Sequence, residues 1–171
     1  MGSTTTPGKI AVHLLTVSDR SFRGEREDSS GRLAAEMLEG YGFTVSGPRV
    51  IPDGRESVEG ALAAMVEDGP DVILTLGGTG VGARDATPEG TMPLLERELP
   101  GIAEGLRANG AVAVPTAVLS RGLAGVVRPS DSAHRTVVVN LPGSVGGVRD
   151  GVEYLRPILP HLIDQLRGGD H

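Results

Sequence analysis

The chain has 171 residues and a formal net charge of −6, and its basic residues are dispersed among acidic ones, which excludes an extended nucleic-acid-binding face. It contains no cysteine, which excludes disulfides, a thiol nucleophile and cysteine-ligated zinc. The length fits one domain, and the apolar residues are mostly aliphatic, with no tryptophan, which favours helices packed against a sheet.

Four short runs predict the strands, at residues 10–17, 43–51, 71–76 and 136–141. The run at 10–17 is nearly continuous and apolar, which is typical of a strand that is covered on both faces, and the run at 71–76 predicts a buried strand as well. Gly47-Pro48 interrupts the second run. Proline weakens a strand because it lacks the N–H group that the sheet needs.

Apolar residues at helical spacing follow each run and predict the helices. In the first helix we expect Ser29 or Ser30 as the N-cap. In the third we expect Thr87 as the N-cap, with Pro88 at the first helical position. The inward-facing residues are Leu33, Met37, Leu38 and Tyr41 in the first helix, Val58, Leu62, Met65 and Val66 in the second, Met92, Leu95 and Leu99 in the third, and Val148, Val152, Leu155, Leu159 and Leu162 in the last.

The alternation of strands and helices predicts an α/β protein with a mostly parallel sheet and helices on both faces. Residues 102–128 mix short helix and strand signals, and no assignment follows there. We expect a single domain over residues 9–167, between flexible tails at 1–8 and 168–171. No apolar stretch approaches the roughly 20 residues of a membrane span, and the polar start lacks the apolar core of a secretory signal, so we expect a cytoplasmic protein without membrane contact.

Polar turns follow the predicted strands at the end where a ligand would bind. In open α/β sheets, ligands sit beyond the carboxyl ends of the parallel strands. The turns that we expect to converge on this rim are Ser18-Asp19, Pro52-Asp53, Gly77 to Asp85, and Pro142-Gly143-Ser144. The rim is therefore the predicted functional site.

The most distinctive turn is LTLGGTGVGARDATPE at residues 74–89. It lacks the Gly-Lys-Ser/Thr ending of a Walker A loop. The spacing of Gly78, Gly80 and Ala83 formally matches the dinucleotide fingerprint, but that motif needs its helix to open at the glycines, and the helix signal here comes later. Two interpretations remain. One is a simple turn between strand and helix; the other, which we favour, is a nest of backbone N–H groups for an anion, with the Thr79 hydroxyl as a further donor.

Two aspartates accompany the predicted rim. Asp85 is not needed for helix initiation, because Thr87 is the better N-cap. Asp53, together with Glu56, reads on its own as a capping box for the second helix. Two carboxylates beside a phosphate nest would repel an anion unless a cation lies between them, and Mg²⁺ is usually held by one or two carboxylates and substrate phosphates. The sequence therefore predicts a magnesium-dependent nucleotide site.

Several segments resemble, in order and over nearly the whole chain, the MogA/MoaB family of molybdenum-cofactor biosynthesis proteins. The most specific of them is the GGTG…RDxTPE element within the glycine-rich turn. The segments are TVSDR at 16–20, DSSG at 28–31, IPDG at 51–54, LGGTGVGARDATPEG at 76–90, LPGIAEGLR at 99–107, TAVLSRG at 116–122 and NLPGS at 140–144.

This resemblance implies a three-layer α/β/α sandwich, usually a homotrimer, with molybdopterin adenylyltransferase activity. ATP and molybdopterin would give adenylylated molybdopterin and pyrophosphate with Mg²⁺ as cofactor, and the product would pass to the molybdenum-inserting enzyme. Asp53 and Asp85 match the essential carboxylates that hold Mg²⁺ through substrate phosphates, so the resemblance overrules the reading of Asp53 as a cap. The residues expected around the substrates are Ser18, Asp19, Gly77, Gly78, Thr79, Gly80, Arg84, Glu89, Ser120, Pro142, Gly143 and Ser144.

Three alternatives stay open at this point. A MoaB-type paralogue would keep the pterin or nucleotide pocket with little catalytic role, a trimeric scaffold would bind partner proteins, and a hydrolase on the same fold would cleave a nucleotide without molybdopterin.

The resemblance is weakest after NLPGS, where relatives often continue with proline. This chain has Val145-Gly146-Gly147 there, so we expect a looser helix start.

Overall fold

A six-stranded sheet forms the centre of the computed structural model, which describes residues 8–169. The strand order is β2-β1-β3-β6-β5-β4. The strands are β1 (Ala11–Val17), β2 (Thr44–Ile51), β3 (Val72–Leu76), β4 (Arg97–Glu98), β5 (Ala124–Val127) and β6 (Thr136–Leu141).

The four strands that the sequence predicts form the parallel part of the sheet. β1 pairs with β2 and β3, and β3 pairs with β6, all in parallel. β5 runs antiparallel to β6, and β4 runs antiparallel to β5. Because Val17 aligns with Ile51, and Leu76 aligns with both Thr16 and Leu141, the carboxyl ends of the parallel strands meet at one rim.

Helices cover both faces of the sheet. On one face Leu14 and Leu74 belong to an apolar cluster with α2, α5, α6 and α7, and on the other face Leu15 and Ile73 pack with α3. The helices are α1 (Asp19–Phe22), α2 (Ser29–Gly40), α3 (Arg55–Glu67), α4 (Thr87–Thr91), α5 (Pro100–Ala113), α6 (Val145–Leu155) and α7 (Ile158–Leu166), with 3-10 turns at Met92–Leu94 and Pro115–Leu119. Since successive strand residues point to opposite faces, this packing confirms the predicted α/β/α layers.

The second predicted strand is confirmed, and its position explains the proline within it. β2 lies at the edge of the sheet, and most of its residues are at least partly exposed. Proline is tolerated on an edge strand because its missing N–H faces no second neighbour. The pairing with β1 is nevertheless irregular, and its register shifts between His13 and Leu15.

The helix predicted from Thr87 through Leu99 is wrong beyond its first turns. α4 ends at Thr91, and the chain continues through a 3-10 turn into the short edge strand β4. Pro93 explains the early end, since proline lacks the N–H that a helix interior needs and its ring clashes with the preceding turn. As a result Met92 is 53% exposed rather than inward-facing.

Two predicted N-caps are also wrong. α2 is capped by Asp28, whose side chain accepts a hydrogen bond from the Gly31 N–H, and not by Ser29 or Ser30. α4 has no side-chain cap, and Thr87 is its first helical residue. The Thr87 hydroxyl instead donates to the Gly77 carbonyl at 2.8 Å. Its side chain therefore holds the glycine-rich turn rather than the helix.

Residues 102–128, which gave no assignment, contain most of α5, the second 3-10 turn and β5.

Residues 1–7 and 170–171 of the predicted tails lie outside the described residues. The limits of the domain at residues 9 and 167 stay a prediction. Within residues 8–169, no helix has both the length and the apolar character needed to cross a membrane.

Candidate active site

The glycine-rich turn leaves β3 through two residues in the left-handed region. Gly77 has a φ of 106° and Gly78 has a φ of 68°. A side chain at Gly77 would overlap the Val17 carbonyl oxygen, so the close approach of β3 to β1 requires glycine at this position. The Gly77 N–H donates to the Leu141 carbonyl at 3.0 Å, which fixes the start of the turn on β6.

The carbonyl groups of the turn are used internally. The Thr87 N–H donates to the Gly78 carbonyl at 3.0 Å, and the Arg121 N–H donates to the Thr79 carbonyl at 2.8 Å. The Arg121 side chain donates to the Gly80 carbonyl at 2.8 Å. Because each of these bonds holds a carbonyl in place, the backbone of the turn is fixed in one conformation.

Three consecutive N–H groups of the same turn are not used internally. Within residues 8–169, the N–H groups of Gly78, Thr79 and Gly80 donate to no protein acceptor. All three residues line a cavity of about 560 Å³ at the rim. Consecutive backbone N–H groups facing a cavity form an anion-binding concavity. This arrangement favours the anion nest over the simple turn.

Both predicted catalytic carboxylates lie beside this turn. Oδ2 of Asp85 accepts from the Gly82 N–H at 2.9 Å and lies 2.9 Å from the position that a Cβ atom on Gly80 would occupy. Oδ1 of Asp53 lies 3.4 Å from the corresponding position on Gly78. Residues two apart are separated by at most about 7 Å between their Cα atoms, so the two carboxylates lie on the same side of the molecule.

Asp53 does not cap α3, which corrects the capping-box reading. The N-cap of α3 is Gly54, and no side chain caps that helix. Oδ2 of Asp53 instead accepts from the Asp19 N–H at 2.8 Å, and the Asp53 N–H donates to Oδ1 of Asp19 at 3.1 Å. This exchange joins the turn after β2 to the turn after β1.

Arg84 extends this junction. Its guanidinium donates to both oxygens of Asp19 at 3.0 Å and to the Asp53 carbonyl at 3.1 Å. The hydrogen bond from Arg84 is the main cause that holds the pKa of Asp19 below its ordinary value of 3.8. The Arg84 side chain is 66% exposed, so a bound anion can reach it from solvent.

Arg121 is the site residue that the sequence analysis missed. Its guanidinium donates to the Gly80 carbonyl, to the Asp85 carbonyl at 2.9 Å and to the carboxylate of Glu89, and it holds the pKa of Glu89 below its ordinary value. Glu89, predicted as a substrate contact, is thus paired with arginine. The signal was present in the LSRG segment, where only Ser120 was selected.

The cavity gathers most of the predicted substrate contacts but not all of them. Those that line it are Gly78, Thr79, Gly80, Asp85, Ser120, Pro142, Gly143 and Ser144. Ser18 lines a neighbouring cavity of about 250 Å³, which shares Gly143 and Ser144 with the first. Five predicted residues line neither cavity: Asp19, Asp53, Gly77, Arg84 and Glu89.

The opposite wall of the cavity is formed by parts of residues 102–128, for which the sequence gave no assignment, and by α6. α5 contributes Leu106 and Arg107, and the following 3-10 turn contributes Ala117. α6 starts directly at Val145 with Ser144 as its N-cap, whose hydroxyl accepts from the Gly147 N–H at 3.1 Å. The helix start after NLPGS is therefore capped, and the expectation of a looser start there is not supported.

The carboxylates fit Mg²⁺ through substrate phosphates. In Asp53 and in Asp85, one oxygen accepts a backbone N–H, and the other accepts no hydrogen bond within the described part of the chain. Among residues 8–169 no group of three or more His, Asp or Glu side chains is placed to hold a metal alone. Mg²⁺ commonly takes one or two carboxylates and completes its octahedron with water and phosphate oxygens.

Residues 13–161 match the family described as "Probable molybdopterin binding domain". The chain belongs to this family. Similar proteins of the molybdopterin-binding family include the molybdopterin adenylyltransferase of Pyrococcus furiosus, 39% identical over 94% of each chain, and that of Helicobacter pylori, 33% identical over 93% of this chain and 89% of the relative. The match confirms the resemblance to the MogA/MoaB proteins.

Solved structures support the fold of this molybdopterin-binding domain. A molybdopterin biosynthesis protein from Mycobacterium abscessus aligns with a TM-score of 0.84 at 42% identity, covering 91% of this chain and 95% of that one. The agreement extends over nearly the whole of both chains.

Proposed function

We propose that the protein is a molybdopterin adenylyltransferase, which transfers the adenylyl group of ATP to molybdopterin. An oxygen of the terminal phosphate of molybdopterin forms a bond to the α-phosphorus of ATP, and the bond from that phosphorus to the bridging oxygen breaks. Pyrophosphate leaves with the electron pair. The observation that carries this proposal is the glycine-rich turn with unused N–H groups between Asp53 and Asp85.

Little chemistry is asked of the protein beyond positioning and charge stabilisation. The nucleophile is already an anionic phosphate, so no strong base is needed, and Ser120 and Ser144 need not act as nucleophiles. The N–H groups of Gly78, Thr79 and Gly80 donate to phosphate oxygens and keep the two polyanionic substrates aligned. Because these N–H groups are already oriented, the reaction does not need the reorientation of solvent molecules that it would need in water.

The two aspartates would hold Mg²⁺ through the substrate phosphates. Bound there, the ion would supply positive charge for the reacting phosphates and for the departing pyrophosphate. Asp53 presents its free oxygen toward Gly78, and Asp85 lies beside Gly80, where its second oxygen accepts no hydrogen bond from residues 8–169. Arg84 lies next to this pair and supplies a positive charge that offsets repulsion between the substrates.

The two adjoining cavities would hold the rest of the substrates. Ser18, Pro142, Gly143 and Ser144 line the two adjoining cavities and would contact the parts of the substrates away from the reacting phosphates. We further propose a homotrimer that works in the cytoplasm and hands adenylylated molybdopterin to the molybdenum-inserting enzyme.

An assay with purified protein tests the proposal. The protein is incubated with Mg-ATP, with and without molybdopterin, and both pyrophosphate and adenylylated pterin are quantified. We expect both products only when molybdopterin is present, and none after chelation of Mg²⁺. Pyrophosphate without molybdopterin would indicate a nucleotide hydrolase, and the absence of both products would indicate a binding protein; either result contradicts the proposal.

A further inference from the structure

One carboxylate in the large cavity has no assigned role. Asp150 lies in the second turn of α6 and is half-buried in the wall of the cavity. It is six residues along the helix from Ser144, which corresponds to about 9 Å along the helix axis. Asp150 and Asp85 are the acidic residues that line this cavity. One belongs to α6 and the other to the glycine-rich turn.

Most other polar side chains of the cavity are already engaged. The Asn140 amide donates to Thr75 and Thr91 and accepts from the Leu123 N–H. The Arg107 guanidinium donates to the carbonyls of Ser120 at 3.3 Å and Gly122 at 3.1 Å. The Asn140 amide is therefore fully engaged, and Arg107 keeps unused only N–H donors, which suit an acceptor on a ligand.

Asp150 differs from them. Its carboxylate accepts no hydrogen bond and forms no ion pair with any residue between 8 and 169. An ionised carboxylate has acceptor capacity only, with two oxygens in one plane. It would repel the phosphates of either substrate. The ligand group that suits it is therefore an uncharged or cationic one with two parallel donors.

The pyrimidinone ring of a pterin carries such a pair. Its 2-amino group and its N3–H point in the same direction, and a carboxylate accepts both in a bidentate arrangement. Adenine does not offer this pair, because its N6 amino donor stands beside a ring-nitrogen acceptor. A carboxylate at this position consequently discriminates between the pterin ring and the adenine ring.

We infer that Asp150 is a specificity-determining residue that binds the amino-pyrimidinone edge of the pterin. The inference rests on the proposed function, because it names the part of the cavity that the pterin occupies. The pterin ring then lies between α5 and α6, and its phosphate points toward the glycine-rich turn and Asp85.

A change of ligand preference tests this inference. The full chain is titrated with 6-hydroxymethylpterin and with 6-hydroxymethyllumazine, in which an oxo group replaces the 2-amino group, and binding is followed by ligand fluorescence. Wild type should prefer the pterin. Asp150→Asn should weaken pterin binding by about tenfold to a hundredfold, because it replaces one acceptor with a donor. The same variant should bind lumazine more tightly than wild type, since an amide matches its oxo and N–H pair.

Glu153→Gln is the matched control, since Glu153 is an exposed acid on the same helix and does not line the cavity. It should leave both affinities unchanged. In the adenylylation assay, Asp150→Asn should raise the KM for molybdopterin and leave the KM for ATP unchanged. A merely structural role would weaken both ligands together.

The outcomes separate this inference from the proposed function. If wild type forms adenylylated molybdopterin but Asp150→Asn keeps its preference and its KM values, the inference is overturned and the proposed function stands. If the preference switches but no adenylylated product forms with wild type, the proposed function fails and the assignment of Asp150 stands. Equal loss of both ligands, or no measurable pterin binding by wild type, also overturns the inference.

Discussion

Asp19 and Asp53 exchange two hydrogen bonds, each accepting the backbone N–H of the other through a side-chain oxygen, at 2.8 and 3.1 Å. The exchange couples the ends of β1 and β2 and turns the remaining oxygen of Asp53 toward Gly78. Arg84 closes the junction from the solvent side. The position of the Asp53 carboxylate, which we propose to be catalytic, thus depends on a residue 34 positions earlier in the chain.

Substitution of Asp53 should separate its catalytic and structural contributions. Asp53→Asn keeps an oxygen for the Asp19 N–H but loses the charge, and Asp53→Ala loses both. We expect both variants to lower the rate of adenylylated product formation by at least about 100-fold. Only the alanine variant should also lose stability, by about 1 kcal/mol in urea unfolding.

Glu56→Gln is the control for this pair, because Glu56 is exposed and lies in the first turn of α3. It should retain both activity and stability. Near-normal turnover of Asp53→Asn would remove Asp53 from the metal-holding role.

Arg121 should be required for the shape of the glycine-rich turn. Arg121→Lys cannot reproduce a planar group that donates to two carbonyls and a carboxylate together. We expect a loss of about 1–3 kcal/mol in unfolding free energy and a lower kcat, because Asp85 loses its fixed position. Arg128→Lys, at an exposed position, should change neither quantity. Unchanged unfolding and kcat in Arg121→Lys would show that the turn holds its shape without this arginine.

The pair formed by Glu89 and Arg121 should give a defined pH dependence of stability. The hydrogen bond from Arg121 holds the pKa of Glu89 below its ordinary value of 4.5. The pair therefore stabilises the folded protein fully above pH 4.5, and this stabilisation is lost as the pH falls through the lowered pKa. Urea unfolding of wild type and Glu89→Gln should therefore differ near neutral pH and converge in acid. Curves that stay equally far apart at all pH values would contradict this assignment.

The left-handed backbone at Gly77 should make this position intolerant of a side chain. Gly77→Ala should destabilise the protein by at least about 2 kcal/mol, because a Cβ atom would meet the Val17 carbonyl at a positive φ. Gly60→Ala is the control, since a Cβ atom there meets nothing within 4 Å and the residue lies inside α3. It should stabilise the protein by about 0.5–1 kcal/mol. Similar thermal unfolding midpoints for Gly77→Ala and Gly60→Ala would refute the predicted difference in stability.

The four parallel strands were predictable because each is a short β-rich run that is bounded by turn residues. The strand predicted at 136–141 matches β6 exactly in extent, and the others differ from β1, β2 and β3 by one residue at their start. The convergence of the polar turns on one rim followed from the rule for parallel sheets, and the structure confirms it.

Local signals failed where tertiary contacts compete with them. Thr87 has the chemistry of an N-cap, but its hydroxyl is used by the Gly77 carbonyl ten residues away. Asp53 has the spacing of a capping box, but its carboxylate is used by Asp19. Arg121 lies in the LSRG segment, but no local spacing indicates its partners, which lie 32 to 41 residues earlier in the chain.

The most direct test of the account is the rate of adenylylated molybdopterin formation by wild type and by Asp85→Ala under saturating Mg-ATP. Asp85 flanks the unused N–H groups of the turn and is exposed enough for its removal to leave the fold intact. We predict product and stoichiometric pyrophosphate from wild type, and a loss of at least about 100-fold in the variant with a loss of no more than about 1 kcal/mol in unfolding free energy. Comparable rates from both proteins would contradict it.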